Sequence, residues 1–360
     1  MATTKAAPVV SRADWVSAQR PAYQAELGRG EDRFWEPRRQ TCAWCESSRL
    51  RELIRTTDVM QSKPGTFVLD ECLDCRHIFQ NPRLTPEGLD FYYRDFYDGD
   101  GAHPVGKLFT EGPSTARLRA GAESLLPHIK PRRWLDVGTA HGHFCAVAKE
   151  VFPDTVFDGL DCGDGVEEAR RTGRIERAHQ GFLPELAESL EGQYDVVSMN
   201  HVLEHTTDPR ANLAAAHRVL RPGGHLLIDV PNPESPFARR FGRYWLSWFQ
   251  PQHLHFVPLG NLRTALREAG FSVVATDHAG AHIRSDVVGA LMFLVLRHLP
   301  YADEPWLPRS PRKFQTRVRK LLFNAAIPLF VLGIVADRLI EPFLRRTGKT
   351  NAYRVVARRD

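Results

Sequence analysis

The sequence predicts an α/β chain: a mainly parallel sheet with helices on both faces, a small cysteine-rich module ahead of it, and a helical insertion before the last strand. Three observations predict this. From Arg133 onward, short apolar runs alternate with longer helical stretches, the pattern of strand–helix–strand units. The first of those strands leads into a glycine-bearing turn, DVGTAHG at 136–142, which opens a helix. Two CxxC pairs, CAWC at Cys42 and Cys45 and CLDC at Cys72 and Cys75, stand before both.

Residues 1–40 are polar, with Trp15, Tyr23, Phe34 and Trp35 scattered without a strong period, and are expected to form an arm that docks elsewhere. MATTKAAPVV has no apolar run behind its one Lys, so no secretory signal is expected and the default compartment is the reducing cytoplasm. Residues 41–83 read as short strands with a cysteine pair at each of two turns, and 84–126 as a helical connector with a glycine-containing loop at 99–106. Residues 127–281 are expected to form the core, with strands at 134–137, 156–160, 194–199, 225–230 and 271–276, and helices at 144–152, 165–172, 209–220 and 259–269. Arg221-Pro-Gly-Gly224 is expected to be a turn feeding the following strand, and Gly270 a helix stop. Residues 282–350 interrupt the alternation as an insertion, and 351–360 supply the last strand.

The chain has 360 residues, 42% hydrophobic and 25% charged, which excludes disorder and a disulfide-stapled miniprotein. Its net charge of +5 raises a nucleic-acid or membrane-surface partner, but the charge is uneven. Residues 282–360 hold 15 Lys plus Arg against 6 Asp plus Glu, leaving residues 1–281 slightly acidic. No basic face for nucleic acid is expected on the core.

Asp136 ends an apolar strand, Gly138 lies in the tight turn and Gly142 starts the next helix. A dinucleotide site needs G-x-G-x-x-G, and Ala140 and His143 hold its second and third glycine positions. S-adenosylmethionine has no phosphate, so one or two glycines and an acid meet its needs. The next strand ends on Asp161, placed to accept ribose hydroxyls, and YDVVSMNHVLEH ends the following one at Asn200. With RVLRPGGHLLIDVPN after these, the run from Trp134 to Thr276 resembles the class I S-adenosylmethionine-dependent methyltransferases. The resemblance implies a Rossmann-like seven-stranded sheet. It also implies that Asp136, Gly138 and Gly142 line the methionine end, Asp161 holds the ribose, Asn200 lies beneath the methionine moiety and Phe182 contacts adenine. Ala140 departs from the glycine of many members by one methyl.

Methyl transfer to a neutral nucleophile needs its proton removed, a task suited to histidine. Four histidines are expected at the carboxyl edge, His201, His205, His253 and His255, and the candidates for the base are His253 first, then His205 and His201. His253 and His205 match histidines common in the family, where they often shape the pocket. A stabilised carbanion or thiolate acceptor would need no strong base.

Cys42, Cys45, Cys72 and Cys75, with 26 residues between the pairs, can present four thiolates to one structural Zn2+. A four-Cys ribbon ahead of such a core resembles the deoxysugar C-methyltransferases of antibiotic pathways, whose further C-terminal domain is expected to be missing. Some ribosomal RNA methyltransferases also begin with a zinc module, of different Cys/His spacing.

The insertion holds apolar runs at 287–296 and 321–336, the latter short of the ~20 residues that span a bilayer. Three readings stay open: a lid over the pocket, a homodimer surface, or a peripheral contact with an anionic membrane. Quinone-pathway O-methyltransferases, which touch membranes through an insertion, are an analogy that does not extend to these residues. The function expected is transfer of a methyl group to O or C of a small-molecule acceptor (secondary metabolite, sugar or lipid-like). Its rivals are a non-catalytic binding protein that keeps the cofactor fold and an RNA methyltransferase.

Overall fold

A computed structural model describes residues 11–95 and 114–360. Residues 1–10 of the expected arm and the loop expected at 99–106 lie outside the described residues. In chain order the elements are α1 (Arg12–Leu27), β1 (Leu50–Thr56), β2 (Phe67–Cys72), β3 (Ile78–Gln80), α2 (Pro86–Tyr93) and α3 (Ser114–Glu123). There follow β4 (Arg133–Val137), α4 (His143–Val151), β5 (Val156–Asp161), α5 (Gly165–Arg171), β6 (Ala178–Gln180), α6 (Leu183–Leu186) and β7 (Tyr194–Asn200). The chain continues through α7 (Pro209–Val219), β8 (Leu220–Pro231), α8 (Pro236–Arg240), β9 (His255–Phe256), α9 (Leu259–Glu268) and β10 (Phe271–Asp277). It ends with α10 (Asp286–His298), α11 (Lys313–Ala325), α12 (Ile327–Thr347) and β11 (Ala352–Arg359).

Seven strands form the main sheet in the order β10-β11-β8-β7-β4-β5-β6. The run from β8 to β6 is parallel, and β11 is inserted antiparallel between β8 and β10. Alternation of side chains across each strand sends Trp134 to one face with Phe144, Phe152, Phe157 and Val196. It sends Leu135 and Val137 to the other, with Val197, Met199, Leu213 and Ile228. Both faces are therefore covered, which is why the strands read as mostly apolar runs. Helix ends follow local chemistry. The Asp208 carboxylate accepts from the Ala211 amide at 3.0 Å to start α7, and Gly270, at φ +83°, lets the chain leave α9. Arg221-Pro-Gly-Gly224 falls within the bounds of β8 but is unpaired: Leu220 pairs with Tyr194 and His225 with Val196, and Gly223 at φ +77° turns the chain between them, as expected. A register shift opposite it, between Tyr194 and Val196, takes up the irregularity.

A second sheet, β1-β2-β3-β9, carries the cysteine module and takes its fourth strand from residues after β8. Buried Glu71 on β2 is ion-paired with Arg51, Arg76 and, from α8, Arg239. The Asn261 side-chain amide donates to the Cys75 carbonyl at 2.9 Å. These contacts fix the module against the core. The expected arm docks through α1 and the turn after it: Tyr23 and Phe34 enter an aromatic cluster with Phe67, Phe91, Tyr92 and Trp306, and Arg12 pairs with Glu304 at 2.7 Å.

The insertion is helical. The Asp337 carboxylate accepts from the amides of Val287 and Val288 at 2.8 and 3.0 Å, capping α10 from α12. At Gly333 an added Cβ would lie 3.0 Å from Val288 and Leu291, so the absence of a side chain lets α12 sit closely on α10. No residue of α11 is buried.

Candidate functional site

In this strand order the chain leaves β4 for β5 and β6, then returns beside β4 as β7, so the crevice for a ligand opens at the carboxyl ends of β4 and β7. Gly138 there has φ +69°, and an added Cβ would lie 2.5 Å from Val202 Cγ2, so only glycine fits. Ala140 follows at φ +42°, and its amide donates to Asp161 Oδ2 at 2.9 Å; Asp161 Oδ1 accepts from the Gly163 amide at 2.8 Å. The turn and the tip of β5 are thereby tied together. Gly138 and Ala140 are exposed, Asp161 and Asn200 half-exposed, and the Phe182 ring is 58% exposed.

Two residues expected to line this edge are buried. Asp136 is 2% exposed: its Oδ1 accepts from Ser198 Oγ at 2.6 Å and Asn200 Nδ2 at 3.4 Å, and Cys145 Sγ lies 3.8 Å from its Oδ2. Burial pushes this carboxyl up to about 6, against those hydrogen bonds. Gly142, at φ +74°, is also buried, and an added Cβ would lie 3.0 Å from Ala169 and Arg174. Both fix the strand end and the packing of α5 behind the crevice.

The remaining groups fit a nucleoside without pyrophosphate. Asp161 keeps lone pairs for two hydroxyls, the Phe182 ring is a flat apolar surface, and Gly138 allows close backbone approach. His143 occupies the first position of α4, where a dinucleotide fingerprint has glycine.

The histidine candidates converge beyond β7. His201 holds φ +54°, an uncommon backbone for a non-glycine residue, directly after the strand. This places its Nδ1 2.8 Å from Oε1 of buried Glu204. His201 Nε2 and Glu204 Oε2 are buried with no hydrogen-bond partner among the described residues. Burial would raise Glu204, but His201 beside it holds the carboxyl below the usual range. His253 lies edge-to-face against His205, ring centroids 4.6 Å apart, and its Nδ1 donates to the Ser247 carbonyl at 2.8 Å. Burial drives His253 down to about 3 and lowers His205 as well, so both imidazoles are neutral at physiological pH. Glu204, His205 and His253 each offer a ligand atom within 4.8 Å of the others, a donor set that can take a divalent cation.

Two residues beside this cluster escaped the sequence reading. The Tyr93 hydroxyl on α2 lies 2.8 Å from His205 Nδ1 and donates to the Gln252 carbonyl at 2.8 Å. Arg117 on α3, half-buried, lies 3.7 Å from the Asp229 carboxylate. Nothing in the sequence pointed to either contact.

The four module cysteines close on one point. All four sulfurs lie within 4.8 Å of one another, with Cys42–Cys75 and Cys45–Cys72 at 3.6 Å. A tetrahedral zinc at about 2.3 Å from each sulfur sets them about 3.8 Å apart, so the arrangement fits. The two knuckles share one backbone design: Glu46 and Arg76, each just past a second cysteine, hold φ +62° and +64° and donate to the carbonyls of Cys42 and Cys72. Burial pushes the Cys42 and Cys75 thiols up, and a divalent cation is what would keep them as thiolates.

Residues 113–276 match the Methyltransferase domain family. The ubiquinone biosynthesis O-methyltransferase of Pseudomonas aeruginosa (strain LESB58) is 26% identical over 157 residues, 41% of this chain and 63% of that one. That of Acinetobacter baylyi is 30% identical over 164 residues, 42% of this chain and 67% of that one. A solved S-adenosylmethionine-dependent methyltransferase from Archaeoglobus fulgidus aligns at TM-score 0.43 and 20% identity, covering 68% of this chain and 94% of that one. The chain thus spans less than two thirds of the first curated relatives' length, and the family match leaves out the cysteine module and the helices after residue 276. By the matched domain and the identity to the Acinetobacter enzyme, the chain belongs to the class I S-adenosylmethionine-dependent methyltransferase family.

Proposed function

We propose that the protein transfers a methyl group from S-adenosylmethionine to a hydroxyl oxygen of a small, lipid-like acceptor, with zinc holding the amino-terminal module together. The observation that carries this reading is the end of β7, where half-exposed Asn200 is followed directly by His201, whose Nδ1 lies 2.8 Å from Glu204 Oε1. The bound cofactor supplies an electrophilic methyl on a sulfonium and the thioether that leaves. Asp161 would accept the ribose hydroxyls, the Phe182 ring would face the base, and the Gly138 turn would allow close approach of the methionine end.

The proton of the acceptor goes to His201 Nε2. Its Nδ1–H donates to the ionised Glu204, which fixes the tautomer and stabilises the imidazolium as it forms. His253, the first candidate from the sequence, is a weak base here, because burial leaves it little basicity and its Nδ1 is held by Ser247. We assign His253 and His205 to the wall that positions the acceptor. The names of the Pseudomonas and Acinetobacter relatives support oxygen over carbon as the accepting atom.

The test is deletion of the gene in its native host with metabolite profiling. A species lighter by one methylene should accumulate, and it should disappear on complementation with the wild type but persist with His201→Gln. Complementation by His201→Gln would remove the assigned base, and an unchanged profile would count against the reading as a whole.

A further inference from the structure

The insertion carries apolar surface that the rest of the described chain leaves uncovered. Leu321, Leu322 and Phe323 of α11 and Ile327, Val331, Leu332, Ile334, Val335, Leu339 and Phe343 of α12 are all exposed, Leu321 by 69%, Leu332 by 65% and Leu339 by 76%. A patch of this size on a helical projection marks an interaction surface. Lys313–Thr347 is also, among the described residues, long and apolar enough by composition to cross a membrane.

Charge decides what covers it. From Pro305 to Ala336 there is no acidic residue, while Arg309, Arg312, Lys313, Arg317 and Lys320 stand exposed just before the apolar run. Arg338, Arg345 and Arg346 are exposed on its far side. A second copy meeting this face across a two-fold axis would bring like charges together. An anionic lipid surface would instead pair with the cations and accept the leucines between them. The uncharged run Leu321–Ala336 is 16 residues, about 24 Å as helix against a hydrocarbon core of about 30 Å. Pro328 lies at the start of α12, where the helical path breaks after Ala325. These features suit shallow insertion in one leaflet better than a span.

We propose that α11 and α12 form a monotopic docking surface for an anionic membrane. The surface is joined to the histidine wall. Gly289 of α10 packs so closely on Leu246 that an added Cβ would lie 2.8 Å away, and the adjacent Ser247 carbonyl holds His253. Membrane docking does not depend on methyl transfer, and its test does not read activity.

The test is flotation of the zinc-loaded full chain with vesicles of phosphatidylcholine, with and without phosphatidylglycerol. Binding to the anionic vesicles should exceed binding to phosphatidylcholine alone by at least about tenfold. The triple variant Lys313→Glu, Arg317→Glu, Lys320→Glu should partition roughly a hundredfold more weakly, at about fivefold for each lysine or arginine near the surface. The variant Leu321→Asp, Leu332→Asp, Leu339→Asp should not float, and both variants should melt with the wild type because every changed residue is exposed. No flotation on anionic vesicles, equal flotation on both compositions, or a stable dimer dissolved by the aspartate substitutions in place of flotation would overturn the proposal.

Discussion

Helix α7 of the core and helices α11 and α12 of the insertion are built from similar apolar residues and have opposite fates. In α7, Leu213, Ala216 and Val219 are fully buried against the sheet beside Tyr194, Val197 and Ile228. In α11 nothing is buried, and in α12 only Gly333, Asp337 and Leu344 are. Full burial of a leucine contributes about 1.5–3 kcal/mol, so the core helix is held by the chain itself. The insertion can gain comparable stabilisation only from something outside the chain. The difference teaches that apolar content locates a helix, while its burial depends on which surface meets it.

The largest expected effect breaks the self-contained half of the comparison. Cys72→Ser should remove about one zinc per chain and, with it, the order of the β1-β2-β3-β9 sheet, since a structural zinc site contributes about 10 kcal/mol or more to a small module. Metal analysis with near-ultraviolet circular dichroism reads both. A metal-free wild type of unchanged fold would contradict the zinc assignment.

Next comes the comparison itself. Leu213→Ala should cost about 2–5 kcal/mol in urea unfolding. Leu332→Ala, the same truncation on an exposed leucine, should cost less than about 0.5 kcal/mol in the absence of lipid. Equal losses would mean that the insertion is covered after all.

The smallest effect is in pH. His253 protonates near about 3 when folded and near the ordinary 6.5 when unfolded. Its depressed folded value means that the stability it contributes is present above 6.5 and lost as pH falls from there toward 3. Asp136, raised to about 6, has the opposite sign: its contribution is present below the ordinary 3.8 and lost as pH rises through 6. His253→Gln should therefore flatten the fall in melting temperature between about pH 7 and about pH 5, a window set by the histidine. An unchanged slope would show that this imidazole is not buried neutral.

The core strands were legible because a sheet covered on both faces forces runs such as Trp134 to Val137 and Tyr194 to Met199 to be mostly apolar. The short strand β6, with only three residues and no fully buried side chain, gave no such run and was not foreseen. The cysteine knuckles were legible from spacing, because two CxxC pairs limit the geometry strongly. The histidine site was legible only as a set of names. The pairing of His201 with Glu204 depends on a left-handed residue at the end of β7, which no periodicity marks, and Tyr93 arrives from more than a hundred positions away. The insertion was the hardest to read, because an apolar run looks the same in sequence whether a sheet, a second protein or a bilayer receives it.

Titration of zinc-loaded protein with S-adenosylmethionine in a calorimeter tests the central claim most directly. One molecule should bind per chain, and Asp161→Ala, whose half-exposed side chain holds the crevice end of β5, should lose binding while keeping its zinc and its far-ultraviolet spectrum. A wild-type chain that is folded, holds its zinc and binds no S-adenosylmethionine would contradict the claim.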